Sequence, residues 1–478
     1  MDVREFVKKV KNKEVNVVEH VKDVIDKCKK INEEFNYFNV ISDDHTLSDA
    51  KKVNDNPAGK LAGVVVSVKD CICVKDIESR AGSKVLQGYK PVFDATVIKK
   101  LRDEGAIIIG KTSQDEFGFG SFNLNVGKGF KIPLNPYDKE RVTGGSSGGS
   151  AGVTRKLKEL GIPHISIAES TGGSIACPAA FCGVIGLTPT YGRVSRYGLI
   201  DYGNSLDKIG SMAGNVYEAA LLLEVIAGHD EKDSTSVDLP VDNYTSYVGS
   251  DVKGMKIGVI KESFDDVVSP DVQNAVKSVI DLLKNNGVIV EEVTLPLAFN
   301  YGVETYYLIA MSEASTNLAK YCGMRYGAYS ELKGNFNEYF AKVRSDNFGK
   351  EAKRRVMVGT FARMAGYRDA YYIKAQKVRT LIINEYKKLF EHYDALISPT
   401  MPFIAPKITE AEKLTPLQNY MADKMLSAPN LAGLPHINVP FFNSDGMPLG
   451  ILIIGDHFKE GKIIQIASAI ESALNQEM

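Results

Sequence analysis

Two glycine–serine clusters mark where this sequence could carry out chemistry. They read GGSSGGS at residues 144–150 and STGGS at residues 170–174. Glycine adopts backbone conformations that other residues avoid and permits close backbone approach. In the second cluster, the N–H groups of Thr171, Gly172 and Gly173 could point at one position, which is the geometry that holds an oxyanion. A hydroxyl group beside such a turn still needs a base before it can act as a nucleophile.

The upstream segment LAGVVVSVKDCICV, residues 61–74, supplies a candidate base. Histidine is the usual partner of a nucleophilic serine, but the histidines are scattered and none lies in a nucleophile–base motif. Lys69 stands inside a strand-like apolar run, and burying an ammonium group is costly unless the group is paired or neutral. We therefore expect Lys69 to act as a base through a serine relay.

These motifs, in this order, resemble the amidase signature family. The resemblance rests on the GGSSGGS cluster, on GGSI followed by CPAAFCG, and on the lysine in the upstream strand. It implies amide hydrolysis by a Ser–Ser–Lys triad, in which Ser174 is the nucleophile, Ser146 the relay and Lys69 the base. It also implies a cis peptide bond at the relay serine. Ser147 is the alternative to Ser146, and otherwise would support the site through a hydrogen bond.

Two positions depart from the family pattern. Many family members have an aspartate at the position of Ser170 and an arginine at the position of Ala176. The nucleophile and the Gly-Gly turn are intact, so the departure concerns only the electrostatic support behind the turn.

Within the family, the C-terminal half is most similar to the glutaminase subunits of tRNA-dependent amidotransferases, in an archaeal-like form. The similarity is carried by residues 304–327, 347–382 and 419–440. Free glutamine is a zwitterion, so its site should supply a cation and an anion. By resemblance, Arg355 would bind the α-carboxylate, Asp423 the α-ammonium, and Tyr306 would add a hydroxyl contact. Tyr307 is the alternative to Tyr306.

The same resemblance implies partners. The chain would be one subunit of a heterotrimer with B and C subunits, and tRNA would bind mainly through the B subunit. The resemblance implies no cofactor in this chain. ATP and Mg²⁺ would be used by the B subunit.

The composition is that of an ordinary globular protein. The 478 residues are 44% hydrophobic and 24% charged, with a formal net charge of −1, which does not favour autonomous nucleic-acid binding. The six cysteines show no paired zinc pattern. No apolar run approaches the length of a membrane helix and the N-terminus has no signal core, so we expect a cytoplasmic protein.

The order of apolar and amphipathic segments predicts an α/β fold. Strands alternate with helices, which favours a mixed, mostly parallel sheet with helices on both faces, as the resemblance to the amidase signature fold also implies. We expect a helical N-terminal region at 1–60, then one α/β domain at 61–478 with a largely helical insertion at about 303–395. Residues 83–89 are predicted to be helical and residues 188–215 irregular.

Two other classes of function stay open. A free-standing amidase for a small amide would use the same triad without partners. A non-catalytic protein could use the glycine–serine loop to hold an anion, although the complete Lys–Ser–Ser set argues against it.

Overall fold

One 11-stranded sheet forms the centre of the protein. The computed structural model describes the backbone of residues 1–477 and the side chains of residues 1–476. The strand order is β1-β3-β2-β4-β6-β5-β10-β11-β9-β7-β8. The strands are β1 Phe38–Ile41, β2 Val65–Lys69, β3 Ile107–Thr112, β4 His164–Ser170, β5 Ile185–Thr188, β6 Lys208–Ala213, β7 Lys256–Ile260, β8 Ile289–Val293, β9 Ala395–Pro399, β10 His436–Phe442 and β11 Pro448–Ile454.

The helices cover this sheet. Several begin at a side-chain cap that the sequence provides, such as Asn16, Asn215 and Ser269, each of which accepts a hydrogen bond from a first-turn N–H group. The helices are α1 Val3–Lys11, α2 Val17–Phe35, α3 Asp43–Asp55, α4 Thr96–Asp103, α5 Gly148–Glu159, α6 Ala176–Cys182, α7 Val216–Ile226, α8 Pro270–Asn285, α9 Pro296–Asn317, α10 Phe336–Asn347, α11 Lys350–Arg363, α12 Lys374–Phe390, α13 Ile408–Ala411, α14 Pro416–Met421, α15 Lys424–Leu431 and α16 Glu460–Glu477.

The pairing of β2 with β4 brings the predicted motifs together. The two strands are parallel neighbours and every residue in them is buried. Parallel strands end at the same edge of a sheet, where α/β proteins place their sites. Lys69 is the last residue of β2, and the turn with the second glycine–serine cluster follows β4 directly. Residues separated by about a hundred positions in the sequence therefore meet at one edge.

The α/β class and the mixed sheet are confirmed, but the share of parallel strands is smaller than expected. Four of the ten pairings are parallel, namely β2–β3, β2–β4, β7–β8 and β7–β9. The central strands β4, β6, β5, β10 and β11 pair antiparallel. Helical crossovers give parallel neighbours, whereas β10 and β11 are joined by a tight turn at residues 443–447.

Two local predictions were wrong. Residues 188–215 contain β6, which lies near the middle of the sheet, and its single glycine, Gly210, lies where a larger side chain would not fit. At Gly210, a Cβ atom would lie 2.2 Å from the carbonyl oxygen of Leu187. Residues 83–89 form only a short 3₁₀ turn, Lys84–Leu86.

The helical segment predicted at 303–395 begins earlier, at Pro296. Within it, α9 packs against α11, α12 and α15, and this layer carries the residues predicted to bind glutamine. The predicted domain boundaries stay a prediction, although β1, from the N-terminal 60 residues, pairs with β3 in the central sheet. No helix in residues 1–477 combines the length and apolar character needed to cross a membrane.

Candidate active site

Lys69 and Ser146 are in direct contact. Lys69 is fully buried, and its Nζ atom lies 2.7 Å from Ser146 Oγ, which is also buried. The Gly145–Ser146 peptide bond is cis, as the family resemblance implied. Ser147 Oγ donates to the carbonyl oxygen of Glu169 at 3.2 Å, which is the supporting contact predicted for this residue. The structure thus brings together the base and the relay that the sequence predicted.

Asp115 holds the loop that carries Ser146. Its backbone N–H group donates to the carbonyl oxygen of Ser146 at 3.2 Å, and its carboxylate accepts from the N–H groups of Asn123 and Asn125. Only glycine fits at position 145, because a Cβ atom there would lie 2.2 Å from Asp115 Oδ2. Burial raises the pKa of Asp115 to about 7, and this net value already includes the opposing effects of the backbone hydrogen bonds and of the charge of Lys69.

Ser174 lies in the turn between β4 and α6 and is 6% exposed. Among the described residues, no hydrogen bond joins Ser174 to Ser146. The backbone N–H groups of Thr171, Gly172 and Gly173 have no hydrogen-bond acceptor within residues 1–477. These three donors are therefore available to an oxygen atom bound at the turn, as the oxyanion-hole prediction requires.

Glu169 was not predicted and makes the closest charged contact to the base. Its Oε2 atom lies 2.9 Å from Lys69 Nζ, and its backbone carbonyl oxygen lies 2.8 Å from the same nitrogen. Glu169 is only 3% exposed. The sequence did carry a signal for it, since a glutamate in the strand HISIAES is as unusual as the lysine in β2. Lys69 and Glu169 lie at the ends of the neighbouring strands β2 and β4 and contact each other.

A second buried carboxyl group continues from Glu169. Thr171 Oγ1 lies 2.7 Å from Glu169 Oε1 and 2.7 Å from Asp207 Oδ1. Asp207 also accepts from the N–H groups of Tyr202 and Gly203. Burial, followed by the negative charge of Glu169, raises the pKa of Asp207 well above its usual range. Asp207 precedes β6, the strand that the sequence did not reveal.

Asp423 lies beside the Gly-Gly turn. Its Oδ2 atom accepts from Tyr307 Oη at 2.7 Å and from Ser121 Oγ at 2.8 Å. Its Oδ1 atom would be 3.3 Å from a Cβ atom at Gly173. Burial raises the pKa of Asp423, and the two hydroxyl donors lower it. One carboxylate oxygen is thus held by the protein while the other faces the turn.

Tyr306 and Tyr307 take different places. Tyr306 packs on the turn itself, where a Cβ atom at Gly172 would lie 2.8 Å from both its Cζ and its Oη atoms. Tyr307 is turned towards Asp423. The two ring centroids are 4.8 Å apart. Tyr306 is therefore the tyrosine that contacts the turn, and Tyr307 is the one that orients the anion.

Arg355, on α11, is 2% exposed and surrounded by aromatic rings. Its Nε atom donates to Glu351 Oε1 at 2.9 Å, and its guanidinium group contacts the Tyr202 hydroxyl. The guanidinium carbon is 5.3 Å from the ring centroid of Tyr307, which connects it to Asp423. Arg355 also lines a cavity of about 300 Å³ together with Ser121, a partner of Asp423. Opposite charges thus occupy neighbouring positions around the turn.

The two family departures have simple local roles. Ser170 Oγ donates to the carbonyl oxygen of Gly172 at 2.8 Å and so braces the turn. Ala176 is fully buried at the start of α6. Cys177, close to Ser174 in sequence, is a buried thiol whose pKa is raised by burial, as expected of a packing residue.

Size alone does not locate the site. A larger cavity of about 890 Å³ lies between α5, α8, β10 and α16, and none of the predicted site residues lines it. Within residues 1–477, no group of three or more metal-binding side chains could hold a metal ion.

Comparison with known protein families covers nearly the whole chain. The model of the Amidase family matches residues 19–464. The fold and this match define the class, and the chain belongs to the Amidase family.

Among its relatives, the chain is 43% identical to the A subunit of the glutamyl-tRNA(Gln) amidotransferase of Cyanothece sp., over 98% of this chain and 97% of that protein. It is 48% identical to the same protein of Halothermothrix orenii, over 88% and 86%. The crystal structure of the corresponding protein from Thermotoga maritima has a TM-score of 0.77 at 35% identity and covers 96% of this chain and 95% of its own. The relatives are thus named as subunits of a larger enzyme.

Proposed function

We propose that this chain is the glutaminase subunit of a tRNA-dependent amidotransferase. It hydrolyses glutamine to glutamate and ammonia. The ammonia converts misacylated Glu-tRNA(Gln), Asp-tRNA(Asn) or both into the correctly paired Gln-tRNA(Gln) or Asn-tRNA(Asn), in an ATP-dependent reaction of the whole complex. Relatives that match nearly the full chain support this proposal.

The observation that carries the substrate assignment is the position of Asp423 beside the turn of Ser174, with Arg355 packed against Tyr307, the hydrogen-bond partner of Asp423. The free Oδ1 atom of Asp423 faces Gly173 and can bind an α-ammonium group. Arg355, held behind Tyr307, can bind an α-carboxylate as a charge-assisted pair. Tyr306 adds its hydroxyl group at the turn.

The triad then has a defined role. Neutral Lys69 accepts a proton from Ser146, which accepts one from Ser174, and Ser174 attacks the side-chain carbonyl carbon of glutamine. The N–H groups of Thr171, Gly172 and Gly173 bind the oxyanion. The proton returns to the leaving ammonia, and water then releases glutamate from the ester on Ser174.

The partners follow from the same proposal. The chain works in a heterotrimer with B and C subunits in the cytoplasm. The B subunit binds most of the tRNA and uses ATP and Mg²⁺ to activate the misattached amino acid. This chain contributes no cofactor of its own and passes ammonia to its partner.

The test is ammonia release from glutamine by the chain alone and with B and C subunits, ATP and misacylated tRNA. We expect strong stimulation by the partners and complete loss of activity in Ser174→Ala. Arg355→Lys should raise KM for glutamine by about tenfold or more, because lysine cannot form the bidentate pair. Full activity without partners, with other amides preferred over glutamine, would identify a free-standing amidase instead.

A further inference from the structure

Thr171 links the buried carboxyl groups of Glu169 and Asp207. Thr171 Oγ1 lies at hydrogen-bond distance, 2.7 Å, from a carboxyl oxygen of each residue. A threonine hydroxyl has a single hydrogen to donate. Two separate hydrogen bonds at Oγ1 therefore require that one carboxyl group accepts from the hydroxyl and the other donates to it. This geometry suits one protonated and one charged carboxyl group.

Both carboxyl groups are suited to carry the remaining negative charge. Asp207 accepts from the N–H groups of Tyr202 and Gly203 at 2.9–3.0 Å, which stabilises its charged form. Glu169 faces Lys69, and a charged Lys69 stabilises the carboxylate form of Glu169. The shared proton can therefore change places as the charge of Lys69 changes.

Glu169 also fixes the direction of the Lys69 lone pair. Lys69 Nζ has three polar neighbours: Ser146 Oγ at 2.7 Å, the Glu169 carbonyl oxygen at 2.8 Å and Glu169 Oε2 at 2.9 Å. A neutral amine has two N–H donors and one lone pair. The carbonyl oxygen can only accept and takes one donor, and Oε2 takes the second. The lone pair then points at Ser146, as a base requires.

We propose that Glu169 is a positioning residue for Lys69, and that Glu169, Thr171 and Asp207 form a proton store that balances the charge of the base. The proposal rests on the proposed function in one respect, namely that Lys69 is the base.

The proton store works by two coupled transfers. When the Ser146 O–H bond breaks and the proton binds Lys69 Nζ, the proton on Glu169 Oε1 moves to Thr171 Oγ1. The hydroxyl proton of Thr171 moves to Asp207 Oδ1. Glu169 then faces the new ammonium group as a carboxylate. The transfers reverse when Lys69 returns its proton, so no proton enters or leaves the buried store.

Other titratable groups surround the store. Cys71 Sγ lies 4.0 Å from Glu169 Oε2, and burial raises its thiol pKa well above the usual range, so it stays neutral. Arg196 faces Asp207 from the loop before β6 and lowers the pKa of that carboxyl group. Asp115 faces Lys69 from the loop after β3 and titrates at about pH 7. Asp115 and Arg196 are present in wild type and variants alike, so comparison with wild type isolates the store.

The test is the pH dependence of Ser174 labelling by a fluorophosphonate, measured as a second-order rate constant in wild type, Glu169→Gln and Asp207→Asn. Glu169→Gln removes the carboxylate beside Lys69, so the ammonium loses its proton more easily. The midpoint of the rate profile should move to lower pH by about one unit or more, and the alkaline plateau should fall at least about tenfold. Asp207→Asn removes the group that receives the proton, so Glu169 stays charged and the midpoint should move to higher pH.

Glu218→Gln is the matched control, because Glu218 is also a buried carboxyl group that accepts from backbone N–H groups, those of Val3 and Gly214, without a hydrogen bond to Lys69. Its midpoint should equal that of wild type. Opposite shifts of the midpoint in Glu169→Gln and Asp207→Asn would establish the proposal. Unchanged midpoints, or shifts in one direction, would overturn it, since lost packing alone lowers the rate without moving two midpoints apart.

Two additions keep the test decisive. If Glu169→Gln or Asp207→Asn fails to fold, the infrared spectrum of wild type minus that of Thr171→Val at neutral pH should show a change in a protonated-carboxyl band, because Asp115 and Glu116 contribute equally to both spectra. No change in that band would overturn the proposal. Labelling needs neither glutamine nor partners. Opposite shifts without glutamine hydrolysis would therefore refute the proposed function alone, and glutamine hydrolysis without the shifts would refute the proton store alone.

Discussion

Replacing Lys69 by methionine separates the catalytic role of this residue from its structural role. Methionine has nearly the length of lysine and no charge, so the space in β2 stays filled. The change removes the only basic side chain within hydrogen-bond distance of Glu169 among the described residues. Two effects are expected, one on activity and one on stability.

Both effects can be sized from the contacts. Loss of a positioned base should lower kcat for glutamine hydrolysis by a factor of about 10² to 10⁴. A neutral Lys69 donates hydrogen bonds to the carbonyl oxygen and to Oε2 of Glu169, and leaving these buried acceptors without a donor costs about 1–3 kcal/mol. In the variant, Glu169 and Asp207 still hold one proton in the native state, which unfolded carboxyl groups release above about pH 4.5, and no buried neutral lysine offsets this proton uptake. The loss of stability should therefore grow with pH, by at most about 1.4 kcal/mol per pH unit.

The double variant Lys69→Met/Glu169→Gln is the control. It also removes the carboxyl group that holds the shared proton, so the pH-dependent part of the lost stability should return while the activity stays lost. Urea unfolding at two pH values measures the free energy of unfolding, and ammonia release in the assembled complex measures activity. Recovery of activity in the double variant, or near-normal activity in Lys69→Met, would refute the role of Lys69 as base. An equal pH dependence of stability in the single and double variants would refute the proton shared by Glu169 and Asp207.

Two further predictions concern the surroundings of the site. Gly172→Ala places a methyl group 2.8 Å from Tyr306 Cζ and Oη. We therefore expect a loss of stability of about 1–3 kcal/mol and a higher KM for glutamine. Unchanged stability and KM would show that Tyr306 does not pack on the turn. Glu116 accepts hydrogen bonds from Ser83 Oγ and from the N–H group of Gly349, the residue before α11. Burial raises the pKa of Glu116 from 4.5 to about 7. The native state therefore keeps a proton that the unfolded state releases above about pH 4.5, and stability falls as pH rises towards 7, by about 3 kcal/mol at most. Glu116→Gln should flatten this decline in urea unfolding at pH 5 and pH 8, and equal slopes would contradict the assignment.

The sequence by itself was sufficient for the chemistry that depends on residue type. A lysine in an apolar strand and serines next to paired glycines are exceptional in any context, so Lys69, Ser146 and Ser174 could be singled out without a structure. The α/β class followed for the same reason, because strands and helices bury one face each and leave a periodic pattern. Their roles and those of Tyr306, Arg355 and Asp423 came from resemblance, and they stay predictions until variants are measured.

Only the tertiary structure decided what surrounds the base. Glu169 and Asp207 lie 38 positions apart, and nothing local connects them until β6 takes its place beside β4. That strand was missed because Lys208, Gly210 and Ser211 interrupt its apolar residues, so it lacks the apolar alternation that marks a strand. Likewise, the choice between Tyr306 and Tyr307 depends on how α9 is rotated against the turn. The local sequence pattern shows which side chains are unusual, whereas the pairing of distant strands determines which of these side chains come into contact.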